Sequence, residues 1–173
     1  EGVSAFPKEV TAQMIFNFLS GGAGINVLAR HVGARVIVVD MGVAVDIKDE
    51  ALVTKKIAYG TANMTKGSAM TYDDAVRSIE AGIKVLELEV KKGVDIVGVG
   101  DMGIGNTTPS SAIAAVITGE SVRDVTGRGT GIDDDTLEQK INVIEEAIRV
   151  NKPNEKDPID VLAKVGGFEL GGM

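Results

Sequence analysis

Apolar residues recur along this chain with two different periods, and the switching between them predicts alternating helices and buried strands. Val10, Met14 and Phe18 recur at i, i+4, i+8, and Pro7 suits a first helical position, so a helix is expected from Pro7 to Ser20, ended by Gly21-Gly22. Ile25, Leu28, Ala29 and Val32 mark a second short helix closed by Gly33. Arg35 to Val39 is a β-branched run ending in Asp40, the pattern of a strand buried on both faces of a parallel sheet. Between 45 and 70 no period is sustained. The part from 57 to 70, rich in Gly, Thr, Ser, Asn and Met, predicts a functional or connecting loop. Thr71 and Asp74 have the spacing of a capping box, and the helix they open places Val76, Ile79, Ile83 and Leu86 on one face before Gly93 closes it. Val94 to Val99 predicts another buried strand, and Ser110 to Thr118 a helix ending at Gly119. Leu137, Ile141, Ile144 and Ile148 set a helix from Asp133 to about Val150. Asp157-Pro158, a cap followed by a first-turn proline, opens a last helix with Ile159, Leu162 and Val165 inward and Gly166-Gly167 as its stop.

This alternation predicts an α/β fold. It is expected to be a three-layer α/β/α arrangement around a mainly parallel, Rossmann-like sheet with right-handed crossovers, all in a single domain over 1–173. Composition changes that picture in three ways. There are 22 glycines in 173 residues, well above the usual share of ~7%, which predicts tight turns and close backbone approaches. Aromatic residues are only 3%, which argues against base stacking as a main binding device. The net charge of −7 argues against nucleic acid or an anionic membrane as partner, although local N–H groups and a few cations still suit a small anion. Cysteine is absent, which removes disulfides and thiolate metal sites and fits a cytoplasmic location. No apolar run approaches the ~20 residues of a membrane span, and no signal peptide is visible.

The chemistry concentrates in Gly100-Asp101-Met102-Gly103-Ile104-Gly105-Asn106-Thr107-Thr108. An expected strand leads into this run and an expected helix leads out. That order places bare amides at the positive end of a helix dipole, where a phosphate or carboxylate can sit. The run is neither a dinucleotide fingerprint nor a Walker loop. A second glycine run, Gly127-Arg128-Gly129-Thr130-Gly131, precedes Asp133. Asp133-Asp134-Asp135 reads as a helix start favoured by the dipole rather than as a metal site, and no metal or cofactor is expected. Asp40, at a strand end, is open between a structural and a site-facing role. His31 reads as a surface residue near a helix end.

Two long strings, Gly100 to Thr108 and Gly127-Arg128-Gly129-Thr130-Gly131-Ile132-Asp133-Asp134, resemble the signature loops of the nicotinate-nucleotide:dimethylbenzimidazole phosphoribosyltransferase family. Further resemblance lies in Gly2 to Pro7 with Glu9-Val10-Thr11, Gly21-Gly22-Ala23 with Ile25 to Ala29, Val38 to Val43, Gly60 to Asn63, and Asp157-Pro158 with Gly166-Gly167-Phe168-Glu169, in the family's order across the whole chain. The resemblance implies transfer of the phosphoribosyl group of nicotinate mononucleotide to 5,6-dimethylbenzimidazole, a step in assembling the lower ligand of cobalamin. The products are α-ribazole 5′-phosphate and nicotinate, formed by attack of a ring nitrogen on C1′ with inversion. It implies that Gly103, Ile104, Gly105, Asn106 and Thr107, with Gly129, Thr130 and Gly131, hold the nucleotide and its phosphate. Lys140 and Arg128 are candidate counter-charges. Ser4, Phe6, Gln13 and Met102 are expected at the base pocket and Asp101 at the catalytic position, with a homodimer as the working assembly.

The resemblance also carries two departures. The family usually has Glu where Asp101 stands, so the charge is retracted by one methylene, roughly 1.5 Å, and a positioning shift of ~1 Å can cost ~10²-fold in rate. Family members begin earlier and continue past Glu169, and the carboxylate they use as base lies in that later part. The chain is therefore expected to be a truncated, central portion of a large nucleotide-binding domain, binding ligand weakly and turning over little. Two rival readings are a non-catalytic nucleotide- or benzimidazole-binding module and a structural, dimerising fragment.

Overall fold

The computed structural model describes residues 2–173. Helices dominate it: α1 (Val10–Leu19) and α2 (Gly24–Val32) precede β1 (Val38–Asp40) and β2 (Leu52–Thr54), and α3 (Tyr72–Val90), α4 (Thr107–Thr118), α5 (Val122–Val125), α6 (Asp134–Asn151), α7 (Pro158–Val165) and α8 (Phe168–Gly172) follow. The expected parallel sheet is present in a two-stranded form, with Val38 opposite Leu52, Val39 opposite Val53 and Asp40 opposite Thr54. Parallel strands are usually joined through a helix. Here the connection is the loop 41–51, and buried Asp40 holds it. One Asp40 oxygen accepts from the Gly42 and Val43 amides at 3.0 and 2.9 Å, and the other pairs with Lys56 Nζ at 2.9 Å. Asp40 is thereby committed to the turn.

Caps account for several helix ends. The Thr71 hydroxyl accepts from the Asp74 amide at 3.0 Å while Asp74 reaches back to Thr71, as the capping-box spacing predicts. Asp133 accepts from Thr136, and Asp157 from Ile159 and Asp160. Gly33 and Gly119 end α2 and α4 in the left-handed conformation. The first helix starts later than expected, at Val10, because Pro7 to Glu9 form a turn that leads into it.

Two clusters make the core. Met41, Met70, Ala75, Ala81, Leu162, Ala163 and Phe168 form one, and Ala112, Ile144, Ala147, Val161 and Val165 the other, so α7 contributes to both. The inward face of α3 differs from the expected one. Ala75, Ser78 and Ala81 are buried, whereas Ile83 and Leu86 stand half exposed. The cause is α8, whose glycines lie directly against α3. A Cβ on Gly171 would fall 1.9 Å from Ser78 Oγ, and one on Gly82 would fall 2.1 Å from the Gly172 carbonyl oxygen. Small residues face a contact that close, and larger ones turn outward. The apolar residues of α2 also differ from expectation: Ala29 is buried, but Ile25, Leu28 and Val32 are exposed.

The expected strand at 94–99 forms no ladder. The stretch lies outside any regular element, with Ile96 and Val99 largely exposed, because among the described residues no strand runs beside it. The strand expected over Arg35 to Val39 shortens, for the same reason, to the residues that pair with β2.

Candidate active site

Three chain segments meet where the two glycine runs approach each other. The first run turns through Gly103 to Asn106 into α4. Gly105 has φ +89°, a conformation that side-chain-bearing residues rarely adopt. The second run leads into α6, and its Gly129 has φ +55°. A Cβ there would fall 2.9 Å from Thr107 Oγ1 and 3.4 Å from Lys140 Nζ, so glycine is needed both for the conformation and for the approach of the runs. The N-terminal segment ties the two together. Ala5 N–H donates to Thr130 Oγ1 at 3.2 Å, and Ile104 N–H donates to Thr11 Oγ1, in the first turn of α1, at 3.0 Å.

Lys140 stands at the centre of this junction. It rises from α6 and is only 1% exposed. Its ammonium donates to Thr107 Oγ1 at 2.6 Å and to the Gly127 carbonyl at 3.0 Å, one group from each run. No carboxylate pairs with it among the described residues. Burial without a counter-ion pushes its pKa below the usual 10.5. Arg128, the other candidate cation, is engaged elsewhere, bonded to the Ile132 carbonyl and paired with Asp134 at the surface.

The amides of the two runs divide into spent and free. Ile104 N–H is taken by Thr11, Asn106 N–H by the Gly103 carbonyl, and Gly131 N–H by the Arg128 carbonyl. Gly105, Thr107, Gly129 and Thr130 N–H groups make no hydrogen bond among the described residues. The N-cap of α4, Asn106, offers no side-chain cap, because its amide donates to Asp101 Oδ2 at 2.6 Å instead. Thr108, buried in the first turn of α4, has a hydroxyl without a partner among the described residues. Free amides, a helix N-terminus and a buried cation without an anion are the features that favour an anion.

Asp101 is half-buried and oriented by Asn106. A second carboxyl lies nearby. Glu169, in the first turn of α8, folds back over Gly167, and a Cβ on that glycine would fall 2.4 Å from Glu169 Oε1. Burial pushes the Glu169 carboxyl up from its usual 4.5; the charge of Asp101 adds to this, and a bond from its own amide partly opposes it. The sequence marks Glu169 only as part of a string. The available signal is its place two residues after Gly166-Gly167, where missing Cβ atoms leave room for a carboxylate to curl back.

Of the expected base-pocket residues, Ser4 and Phe6 lie on the N-terminal segment, Gln13 on α1, and Met102 in the first glycine run. Ser4 and Met102 are half-buried, Phe6 is 50% exposed, and Gln13 faces outward. Ser4 Oγ accepts from Phe6 N–H at 3.3 Å, fixing the turn between them. A cavity of about 590 Å³ lies elsewhere, between Ala58 to Asp74, α7 and Phe168, and no glycine-run residue lines it. Among the described residues no group of acidic residues and histidine is arranged to hold a metal, and no helix is long and apolar enough to cross a membrane.

Known proteins resemble this chain along its whole length. The family model described as Phosphoribosyltransferase (DBI_PRT) matches residues 1–173. Proteins named nicotinate-nucleotide--dimethylbenzimidazole phosphoribosyltransferase from Desulforudis audaxviator and Geobacter metallireducens are each 60% identical over 174 aligned residues, covering 100% of this chain and 49% of theirs. The crystal structure of CobT from Thermus thermophilus superposes with a TM-score of 0.93 at 40% identity, over 99% of this chain and 51% of that one. The chain thus spans about half the length of the curated relatives it matches. From its glycine runs to its Gly-Gly-Phe-Glu end, it belongs to the nicotinate-nucleotide--dimethylbenzimidazole phosphoribosyltransferase family.

Proposed function

We propose that this chain supplies the nucleotide-binding half of a phosphoribosyltransferase acting on nicotinate mononucleotide and 5,6-dimethylbenzimidazole, and forms the central part of its large domain. One observation carries the reading. A buried Lys140 ammonium with no carboxylate partner among the described residues bridges Thr107 of one glycine run and Gly127 of the other. Keeping a cation out of water without an anion costs several kcal/mol, a cost that a bound phosphate offsets. In this reading Gly103, Ile104, Gly105, Asn106 and Thr107, with Gly129, Thr130 and Gly131, surround the nucleotide. The free amides of Gly105, Thr107, Gly129 and Thr130 and the Lys140 ammonium bond its phosphate and ribose.

The chemistry follows from that placement. The acceptor's unprotonated ring nitrogen forms a bond to C1′ while the C1′–N bond to nicotinate breaks on the opposite face. The bonding pair leaves with nicotinate and neutralises its pyridinium nitrogen. The acceptor's remaining N–H proton then passes to a carboxylate. Asp101, held by Asn106, places negative charge on this side of the site, where it favours the electron-poor C1′ of the transition state; the base carboxylate that the resemblance implies lies in the part of the family that follows Glu169. Ser4, Phe6, Gln13 and Met102 form the wall against which the flat acceptor lies. In this reading the protein works in the cytoplasm as a homodimer, and the exposed Ile25, Leu28 and Val32 of α2 support a partner surface.

Calorimetric titration tests the reading. The chain is titrated with nicotinate mononucleotide and, separately, with the nucleoside lacking the phosphate. The nucleotide is expected to bind at least ~10-fold tighter, as one charge-assisted phosphate contact requires. Equal affinities, or no binding by the nucleotide, overturn it.

A further inference from the structure

The N-terminal segment is held to the rest of the molecule by polar contacts rather than by burial. None of residues 2–9 is buried, and among the described residues those from 2 to 6 make no backbone–backbone hydrogen bond. Its anchors fall on both glycine runs and beside the buried cation. Ala5 N–H donates to Thr130 Oγ1 of the second run at 3.2 Å, and Thr11 Oγ1 accepts from Ile104 N–H of the first run at 3.0 Å. Gly2, with φ +73°, lies so close to α6 that a Cβ on it would fall 2.7 Å from Nε2 of Gln139, the residue before Lys140. The bonded partners are 125 and 93 residues apart along the chain, so the segment is a second tie between the runs, besides Lys140.

The anchors adjoin the free amides. Ile104 precedes Gly105, and Thr130 carries one of the free N–H groups itself. Fixing those amides on one anion therefore fixes both anchors. The Ala5 bond is exposed and competes with water, so the tie is partial in the free chain and has room to strengthen. We propose that residues 2–11 act as a strap that couples the nucleotide and acceptor sites, with Thr11 as a positioning residue. An anion across the two runs orders Ser4 and Phe6, and an acceptor lying on them orders the runs. The proposal rests on the functional reading above for what fills each site. Such coupling is reciprocal, and it needs no change of fold because it runs through the ordering of a loosely held segment.

Titration calorimetry of the chain measures nicotinate mononucleotide affinity without and with saturating 5,6-dimethylindole. This probe has the acceptor's outline, but its nitrogen lone pair is delocalised into the ring, so it does not attack C1′. The nucleotide is expected to bind at least ~5-fold tighter with the probe present. Thr11→Val removes the acceptor of the Ile104 bond and is expected to bring that ratio below ~2, while Thr11→Ser restores it. Ala5→Pro, which removes the other donor, is expected to lower the ratio likewise and gives the answer should Thr11→Val fail to fold. Amide NMR of the free Thr11→Val chain needs no ligand: the Ala5 and Thr130 signals are expected to move, although Thr11 bonds to neither. A nucleotide that binds with its phosphate preference but whose affinity the probe leaves unchanged overturns the coupling alone. So does a ratio that survives in the variants, or Ala5 and Thr130 signals that stay in place. Failure of the nucleotide to bind overturns the functional reading, and the coupling with it.

Discussion

Replacing Lys140 with Met separates a binding role from a structural one. The side chain is 1% exposed, and its ammonium makes two hydrogen bonds but, among the described residues, no ion pair. Hydrogen bonds to a charged group contribute about 1.5–3 kcal/mol each, while the effective cost of burying an unpaired ion is several kcal/mol. The two effects nearly cancel, and Met keeps the packing of the stem. Lys140→Met is therefore expected to change unfolding free energy by no more than about 1 kcal/mol in either direction, measured by urea denaturation. Nicotinate mononucleotide affinity is expected to fall much further, by about 10- to 100-fold, the equivalent of one lost charge-assisted contact. The same cation dictates a pH dependence. Its proton is held less tightly than the usual 10.5, so affinity in the unmodified chain falls as pH rises toward that value, and the fall is absent in the variant. A variant that loses more than about 3 kcal/mol of stability yet binds the nucleotide normally would refute the reasoning, because Lys140 would then be a structural strut.

Further outcomes follow from the same contacts. Gly129→Ala places a Cβ 2.9 Å from Thr107 Oγ1 at φ +55°; it is expected to cost about 1–3 kcal/mol in a thermal melt and to weaken nucleotide binding alongside, whereas an unchanged melt would count against the observed loop. Gly171→Ala drives a methyl into Ser78 Oγ and should destabilise by roughly 1–3 kcal/mol, with loss of α3–α8 packing visible in amide exchange near Ser78. Glu169 holds its proton more tightly when folded than the usual 4.5, so it lowers stability progressively as pH rises from 4.5 through its raised value. Glu169→Gln is accordingly expected to exceed the unmodified chain in stability at pH 7.5 and to match it near pH 4.5; a difference independent of pH would contradict this.

What the sequence revealed was what depends on neighbours along the chain. Thr71 with Asp74, Asp157 with Pro158, and the glycines at 33 and 119 act within one turn of themselves, and each ends or starts a helix where its spacing predicts. What stayed hidden depends on partners distant in sequence. Leu52 to Thr54 is too short to announce a strand until it lies beside β1. The large apolar residues of α3 suggested one inward face, but the glycines of α8 select Ala75, Ser78 and Ala81 instead. The glycine runs were legible as tight turns that approach a helix start, yet nothing in their spacing says that Thr11 consumes the Ile104 amide or that Asn106 turns to Asp101. Lys140 carried a usable signal, since Ile144 and Ala147 follow it at i+4 and i+7 on a buried face.

The most direct measurement is the response of individual amides to nicotinate mononucleotide, followed by two-dimensional NMR of the chain. The signals of Gly105 and Thr107 and those of Gly129 and Thr130 should move together and saturate at one dissociation constant, because in the proposed function one phosphate touches both runs. Movement of only one run, or two runs saturating at different concentrations, would contradict the shared site on which the account depends.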